Sequence, residues 1–128
     1  MINNVTDLTS DLVKTALDAN LQQQQISAHN IANANSDGYR ALALNFSDIY
    51  ADAENLLSGD ESQNSGRFEG LRNEIHDGAY VHATGSNVAL DMEMVRLNEV
   101  VVQYQALLQG LSKYGSLVKM AITGEVGR

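Results

Sequence analysis

The sequence predicts an all-α protein in which long N- and C-terminal helices form an antiparallel helical hairpin, or coiled coil. Apolar residues recur at alternating steps of three and four residues near both ends of the chain. Proline, which breaks helix interiors, is absent from all 128 residues. Glycine and acidic residues concentrate between the two periodic stretches, which predicts an irregular, partly disordered middle with short strands. The predicted organisation is therefore an N-terminal helix over 1–35, an irregular polar lobe over 36–86 and a C-terminal heptad helix over 87–128, in one structural domain.

The N-terminal segment is predicted to be helical because its apolar and small residues line two adjacent faces. We expect it to end before Gly38, since Asn35, Ser36 and Asp37 are residues that favour turns. The small side chains would let a second helix approach closely. The two faces consist of Val5, Leu8, Leu12, Ala16 and Ala19, and of Leu17, Leu21, Gln24, Ala28 and Ile31.

The middle segment, residues 36–86, begins with Leu42, Leu44 and Phe46 at a spacing of two, which is typical of a short strand. The run from Ser58 to Gly66 is polar and acidic and has almost nothing to bury. Burial of apolar surface therefore cannot offset the entropy lost on ordering this run, and we expect it to be mobile.

The C-terminal segment carries an apolar heptad seam that is sustained for more than four repeats. Val100, Leu107 and Tyr114 lie beside the seam and widen the apolar stripe on one flank. A two-helix hairpin with such wide stripes leaves apolar surface exposed unless copies associate, so we expect self-association. The seam consists of Leu90, Met94, Leu97, Val101, Tyr104, Leu108, Leu111, Gly115, Val118 and Ile122.

Composition and charge exclude several classes of function. The net charge of −8 argues against nucleic acid and anionic membrane surfaces as partners, because both require clustered cations. No apolar run approaches the roughly 20 residues that span a bilayer, so we expect no membrane insertion. The absence of cysteine excludes thiolate metal sites and cysteine nucleophiles. The first residues have neither the basic region nor the apolar core of a cleaved secretory signal.

No pattern of residues predicts catalysis, a cofactor or a metal. General acid–base chemistry requires positioned carboxylates or an oriented histidine, and the acids here are scattered over polar stretches. One alternative remains open: a small metal-binding or enzymatic module that uses His76, Asp77 and His82. Their spacing matches no helical ligand pattern. A second alternative is a small secreted component of a type III system that shares the helical hairpin.

The most unusual local feature is an asparagine-rich stretch at the end of the first helix. One interpretation is a frayed helix end with asparagine caps and a glycine stop. Another places the amides within an apolar helical face, as a specificity device between packed helices. The residues are Asn30, Ile31, Ala32, Asn33, Ala34, Asn35, Gly38 and Tyr39.

At these residues the sequence resembles the flagellar rod and hook axial proteins. The asparagine-rich stretch looks like the signature of that family, and residues 87–94, which lead into the C-terminal helix, are similar to its other characteristic end. The resemblance covers about residues 5–46 and 78–122. The chain departs from the family at Ser36 and Asp37, where Thr-Pro is common, and at Ala89, where an acidic residue is common.

The resemblance implies a structural subunit of the flagellar basal body. Such a subunit is made in the cytoplasm, exported by the type III apparatus without a cleaved signal, and polymerises into the periplasmic rod. Its partners would be copies of itself, other rod subunits, the rod-base adaptor and the export gate. The resemblance also suggests Phe46 and Tyr50 as a candidate export-gate motif, with Ile2 and Val5 as an upstream apolar signal.

Overall fold

The computed structural model describes residues 2–58 and 64–124 and confirms an all-α fold with two long terminal helices packed closely together. The middle of the chain adds two shorter helices and a small sheet. In chain order the elements are α1 (Ile2–Ala32), β1 (Leu42–Leu44), α2 (Phe46–Leu57), α3 (Asn64–His76), β2 (Val81–Ala83) and α4 (Leu90–Thr123).

The hairpin of α1 and α4 is antiparallel. The Ser27 hydroxyl, near the end of α1, lies 3.4 Å from a carboxylate oxygen of Glu93, in the first turn of α4. At 1.5 Å per residue, the 31 residues of α1 and the 34 of α4 give helices of roughly 46 and 51 Å. The two helices therefore lie side by side over most of their length.

The middle of the chain is more regular than the sequence analysis expected. In α2, the Asn45 side chain accepts a hydrogen bond from the backbone N–H of Asp48 and caps the helix. In α3, Phe68, Leu71 and Ile75 follow steps of three and four, and all three are buried. Three buried apolar side chains on one face are sufficient to fix a short helix against the rest of the protein. Their periodicity was hidden by the polar residues around them.

Two three-residue strands form an antiparallel pair, with Leu42 opposite Ala83 and Leu44 opposite Val81. The sequence indicated the first strand from the alternation of Leu42 and Leu44. Phe46 belongs to α2 instead, because the cap at Asn45 starts the helix there.

The hydrophobic core lies where the middle of the chain packs on α1. Among the residues that the structure describes, the core cluster includes none from α4. The main buried side chain that α4 adds is Val100. The core residues are Ala19, Ile26, Leu44, Ile49, Phe68, Leu71, Ile75 and Tyr80.

Some expectations fall on parts of the chain that lie outside the description. Residues 59–63, within the acidic run expected to be mobile, are among them. Ile2 and Val5 belong to α1, but their side chains lie outside the described part. In the ranges 2–58 and 64–124, no helix combines the length and the apolar character needed to cross a membrane.

Candidate functional site

The asparagine-rich joint, defined as residues 30–39, is organised by the fully buried side chain of Asn30. Its amide nitrogen donates to the carbonyl oxygen of Leu42 at 2.9 Å, and its amide oxygen accepts from the backbone N–H of Leu42, also at 2.9 Å. The same oxygen accepts a hydrogen bond from the Tyr39 hydroxyl at 2.7 Å. The carboxamide thus pairs with both backbone groups of Leu42 as a neighbouring strand would, and ties the end of α1 to β1.

The other residues of the joint close the helix and turn the chain. The carbonyl oxygen of His29 accepts two hydrogen bonds from Asn33, one from its side-chain amide at 2.8 Å and one from its backbone N–H at 3.1 Å, which close the last turn of the helix. Gly38 has a φ of 74°, a conformation that side chains with a Cβ rarely adopt. The Tyr39 ring meets the His29 ring edge to face at 5.6 Å. Ile31 and Ala34 are half-buried, and Ala32 and Asn35 are exposed.

The contacts of Asn33 and Gly38 match the interpretation of a helix end with an asparagine cap and a glycine stop. Asn30 contacts a strand and a tyrosine of its own chain, and Asn33 contacts its own helix. The amides act within the turn because the chain reverses directly after α1, which brings β1 back beside Asn30.

A chain of buried polar side chains, which the sequence did not predict, links α1 to the first turn of α4. The Gln23 amide donates to the Ser27 hydroxyl at 3.0 Å, and that hydroxyl points to the carboxylate of Glu93. All three residues are buried. Arg96 lies 3.5 Å from the same carboxylate, one turn further along α4. Burial and the nearby negative charge of Glu93 raise the pKa of Tyr39.

The predicted faces of α1 followed its apolar and small residues and left out Gln23 and Ser27. A usable signal was present: Gln23, Ser27 and Asn30 follow the same steps of four and three as an apolar stripe. Such spacing places all three on one face, so a row of buried polar side chains on α1 could have been predicted.

The predicted seam of α4 is divided between two faces. Its members Leu97, Tyr104, Leu111 and Val118 are half-buried, and they alternate with Glu93, Val100, Leu107 and Tyr114 to form the buried or half-buried side of the helix. The stripe that packs within the chain is therefore rotated toward the flank formed by Val100, Leu107 and Tyr114. The rotation follows from the residues of α1 opposite, which present polar groups such as Ser27 to Glu93.

The remaining members of the seam form an uncovered stripe on α4. Leu90, Met94, Leu108 and Ile122 have exposed fractions of 40%, 52%, 43% and 68%. Val101 is half-buried between them, and Gly115 is exposed. From Met94 onward these positions recur every seven residues, which is the spacing of one position of a coiled-coil seam. The uncovered stripe is defined as Leu90, Met94, Val101, Leu108, Gly115 and Ile122.

Phe46 and Tyr50 lie one turn apart on the outer face of α2, with exposed fractions of 50% and 73%. Together with Leu57 they border an apolar groove between α1, α2 and α4. These two aromatic side chains lie at the rim of the groove and are not part of the core cluster.

The histidines do not converge on a metal site. His76 lies 3.3 Å from the carboxylate of Asp18, which also binds the guanidinium of Arg72, so these groups connect α3 to α1. His82 is exposed on β2, opposite Ala43. Within 2–58 and 64–124, no three His, Cys, Asp or Glu residues are placed to hold a metal ion.

A tyrosine with two carboxylate neighbours joins α2, α3 and β2. The buried Tyr80 hydroxyl lies 2.6 Å from Asp52 and 3.1 Å from Glu74. The pKa of Tyr80 is raised well above its ordinary value. Burial is the largest cause, and the hydrogen bonds to these two acids are the next. The hydroxyl therefore stays protonated and connects the middle of α2 to the last turn of α3.

The described geometry consists of a rigid turn, an internal polar contact between the long helices, and apolar surfaces that the chain leaves uncovered. Searches with family models, against curated proteins and against solved structures found nothing that matches this chain.

Proposed function

We propose that this protein is a structural, non-enzymatic subunit of the bacterial flagellar proximal rod, similar to the rod protein FlgB. The proposal begins from the resemblance of the asparagine-rich joint and of α4. Within α4, the residues that resemble FlgB are 104–107, 111–113 and 117–122. In this role the protein would be exported through the type III apparatus and assembled in the periplasm.

The observation that carries the proposal is the uncovered stripe on α4. Four large apolar side chains aligned along α4 remain partly exposed in the single chain, and completing the burial of each would contribute on the order of 1 kcal/mol. A neighbouring copy that packs along this stripe would supply that burial. The rod would then be held by helices that each use one face within the chain and another face between chains.

The asparagine-rich joint supports this role by fixing how α1 leads into the rest of the chain. Asn30 pairs with both backbone groups of Leu42, so the turn after α1 has little freedom. A fixed turn would let successive copies present the same surfaces at the same angle. A helical assembly needs that regularity, since every contact in it is repeated.

The partners follow from the same proposal. They are further copies of the chain, other rod subunits, the adaptor at the rod base and the export gate. Phe46 and Tyr50 are exposed on α2, where a gate protein would be able to reach them. Phe46→Ala should then reduce export of the protein while leaving its helical content unchanged, which secretion assays and circular dichroism would measure.

The decisive experiment combines deletion of the gene with a charge placed in the uncovered stripe. Deletion should remove flagella and complete basal bodies, as seen by electron microscopy. Leu108→Asp should abolish swimming, because a buried carboxylate without a partner costs several kcal/mol at each repeated contact. Gln109→Asp, the adjacent exposed residue, introduces a similar charge outside the stripe and should leave swimming normal.

Circular dichroism of the purified Leu108→Asp variant should match the parent, since Leu108 is 43% exposed in the single chain. Normal motility of a well-expressed Leu108→Asp strain would contradict the assembly role of this face. Intact basal bodies in the deletion strain would contradict the proposed function as a whole.

A further inference from the structure

The groove between α1, α2 and α4 is a second uncovered apolar surface, separate from the stripe on α4. It has a volume of about 440 Å³ and is lined by Leu12, Ala16, Ile49, Tyr50, Ala53 and Leu57, with Glu54 at one side. Leu12 and Ala16 are one turn apart on α1, as are Ile49 and Ala53 on α2. Two parallel rows of small and medium apolar side chains form a channel of the kind that receives an amphipathic helix.

The charge of α2 restricts what can occupy the groove. This helix carries Asp48, Asp52 and Glu54 and no cation. Of these three acids Glu54 lines the groove, so two α2 helices placed face to face would bring two Glu54 carboxylates together, and a symmetric contact between grooves is disfavoured. The occupant should be an apolar helix with net positive charge.

One helical segment of the described chain meets both conditions. Helix α1 has a net charge of −2, from Asp7, Asp11 and Asp18 against Lys14. The first half of α4, residues 90–107, also has −2. The apolar residues of α3 are buried in the core, so α3 offers no apolar face.

The second half of α4, residues 108–123, contains Lys113 and Lys119 and no acid, which gives it a net charge of +2. It also exposes Leu117, with an exposed fraction of 59%, on the same face as the exposed residues Lys113 and Ala121, one turn before and one turn after it. Both lysines are exposed, and among the residues described neither forms an ion pair. This half of the helix therefore has the apolar surface and the charge that the groove requires.

We propose that the groove between α1, α2 and α4 binds the second half of α4, residues 108–123, from another copy of the chain. This inference rests on the proposed function, because it names the surfaces through which rod subunits would meet. The contact joins two different surfaces, so it is head to tail. Each pair retains one empty groove and one unbound helix end, and addition of copies continues without closing.

The absence of cysteine allows a direct test by cross-linking in the full-length protein. Tyr50→Cys places a thiol at the groove, and Leu117→Cys places one on the proposed occupant. Both side chains are largely exposed, so neither change should disturb folding. Mixing the two single variants under mild oxidation should give a mixed disulfide dimer. A chain that carries both substitutions should give a ladder of linear oligomers on a non-reducing gel.

The matched control is Ala51→Cys mixed with Leu117→Cys, because Ala51 is exposed but does not line the groove. This pair should cross-link only at the level of random collision. Charge provides a second test. Glu54→Lys in the groove partner should lower the yield of the mixed disulfide about fivefold, and Lys113→Glu in the other partner should restore it.

Equal cross-linking through Ala51→Cys would overturn the proposal, as would a yield insensitive to Glu54→Lys. A closed dimer from the doubly substituted chain would indicate a symmetric contact and would also overturn it. These outcomes are independent of the deletion experiment. If the cross-linking gives a ladder but the deletion strain still builds basal bodies, the groove contact is supported and the proposed role in the rod is refuted. Missing basal bodies without the expected cross-link would do the reverse.

Discussion

Replacing Asn30 by leucine tests the main structural claim about the asparagine-rich joint. The two side chains have similar size, so Asn30→Leu removes three hydrogen bonds without opening a large cavity. It also leaves the N–H and C=O groups of Leu42 without their partner. A lost hydrogen bond costs about 1 kcal/mol, and a buried unpaired group costs about 1–3 kcal/mol.

Leu42 and Tyr39 are half-buried, so water can reach part of what the asparagine leaves behind. We therefore expect a loss of about 3 kcal/mol in the free energy of unfolding, a large part of the roughly 5–15 kcal/mol typical of a domain. For a chain of this length, such a loss lowers Tm by roughly 10 °C. Urea denaturation followed by far-ultraviolet circular dichroism measures the change directly.

Asn35→Leu is the matched control, because Asn35 is exposed in the same turn and should change stability by less than about 0.5 kcal/mol. Asn30→Asp adds a test in which the direction of the change in stability with pH is predicted. The new carboxylate would face the carbonyl oxygen of Leu42 in a buried site, so its folded pKa should rise above the unfolded value of about 3.9. The stability deficit should therefore shrink as the pH falls toward about 4. Equal stability of Asn30→Leu and the parent protein would refute the argument.

Two further predictions concern Tyr80 and the glycines. The raised pKa of Tyr80 means that the unfolded chain ionises first, so this residue contributes stability below about pH 10 that is lost at higher pH. Tyr80→Phe should lose less stability than the parent between about pH 9 and about pH 11 in urea titrations, and an identical loss would contradict this origin. Gly38→Ala should destabilise by about 1 kcal/mol because φ is positive there, whereas Gly110→Ala, with open space around it inside α4, should stabilise by up to about 1 kcal/mol. Thermal denaturation of the pair checks the opposite signs.

The long helices could be predicted because their apolar periodicity extends over many turns. A few residues with low helix propensity do not outweigh a pattern of that length. The middle could not be predicted to the same degree. The stretch that contains Phe68, Leu71 and Ile75 has only three apolar positions, and polar residues surround them. Such a short pattern forms a stable helix only when its apolar side chains pack against other residues. Here those residues include Ala19 and Ile26, which come from a distant part of the chain.

The orientation of α4 illustrates a second limit. The sequence contains two overlapping heptad stripes that share Leu97, Tyr104, Leu111 and Val118, and periodicity alone does not say which stripe faces α1. Burial favours the stripe that includes Val100 and Glu93, because Ser27 lies opposite Glu93 on α1. That choice depends on matching polar partners across the two helices, which is information that neither helix carries by itself.

The position of the hydrophobic core has a consequence for how stability is distributed. The described core joins α1 to the middle of the chain and includes no residue from α4. Amide hydrogens in α4 should then exchange with solvent sooner than those around Phe68 and Ile75, since opening α4 exposes less apolar surface. A terminal helix that opens without unfolding the rest of the molecule can be exchanged between neighbouring copies of the chain. The chain thus combines a well-buried body with a terminal helix whose release should cost less than the unfolding of that body.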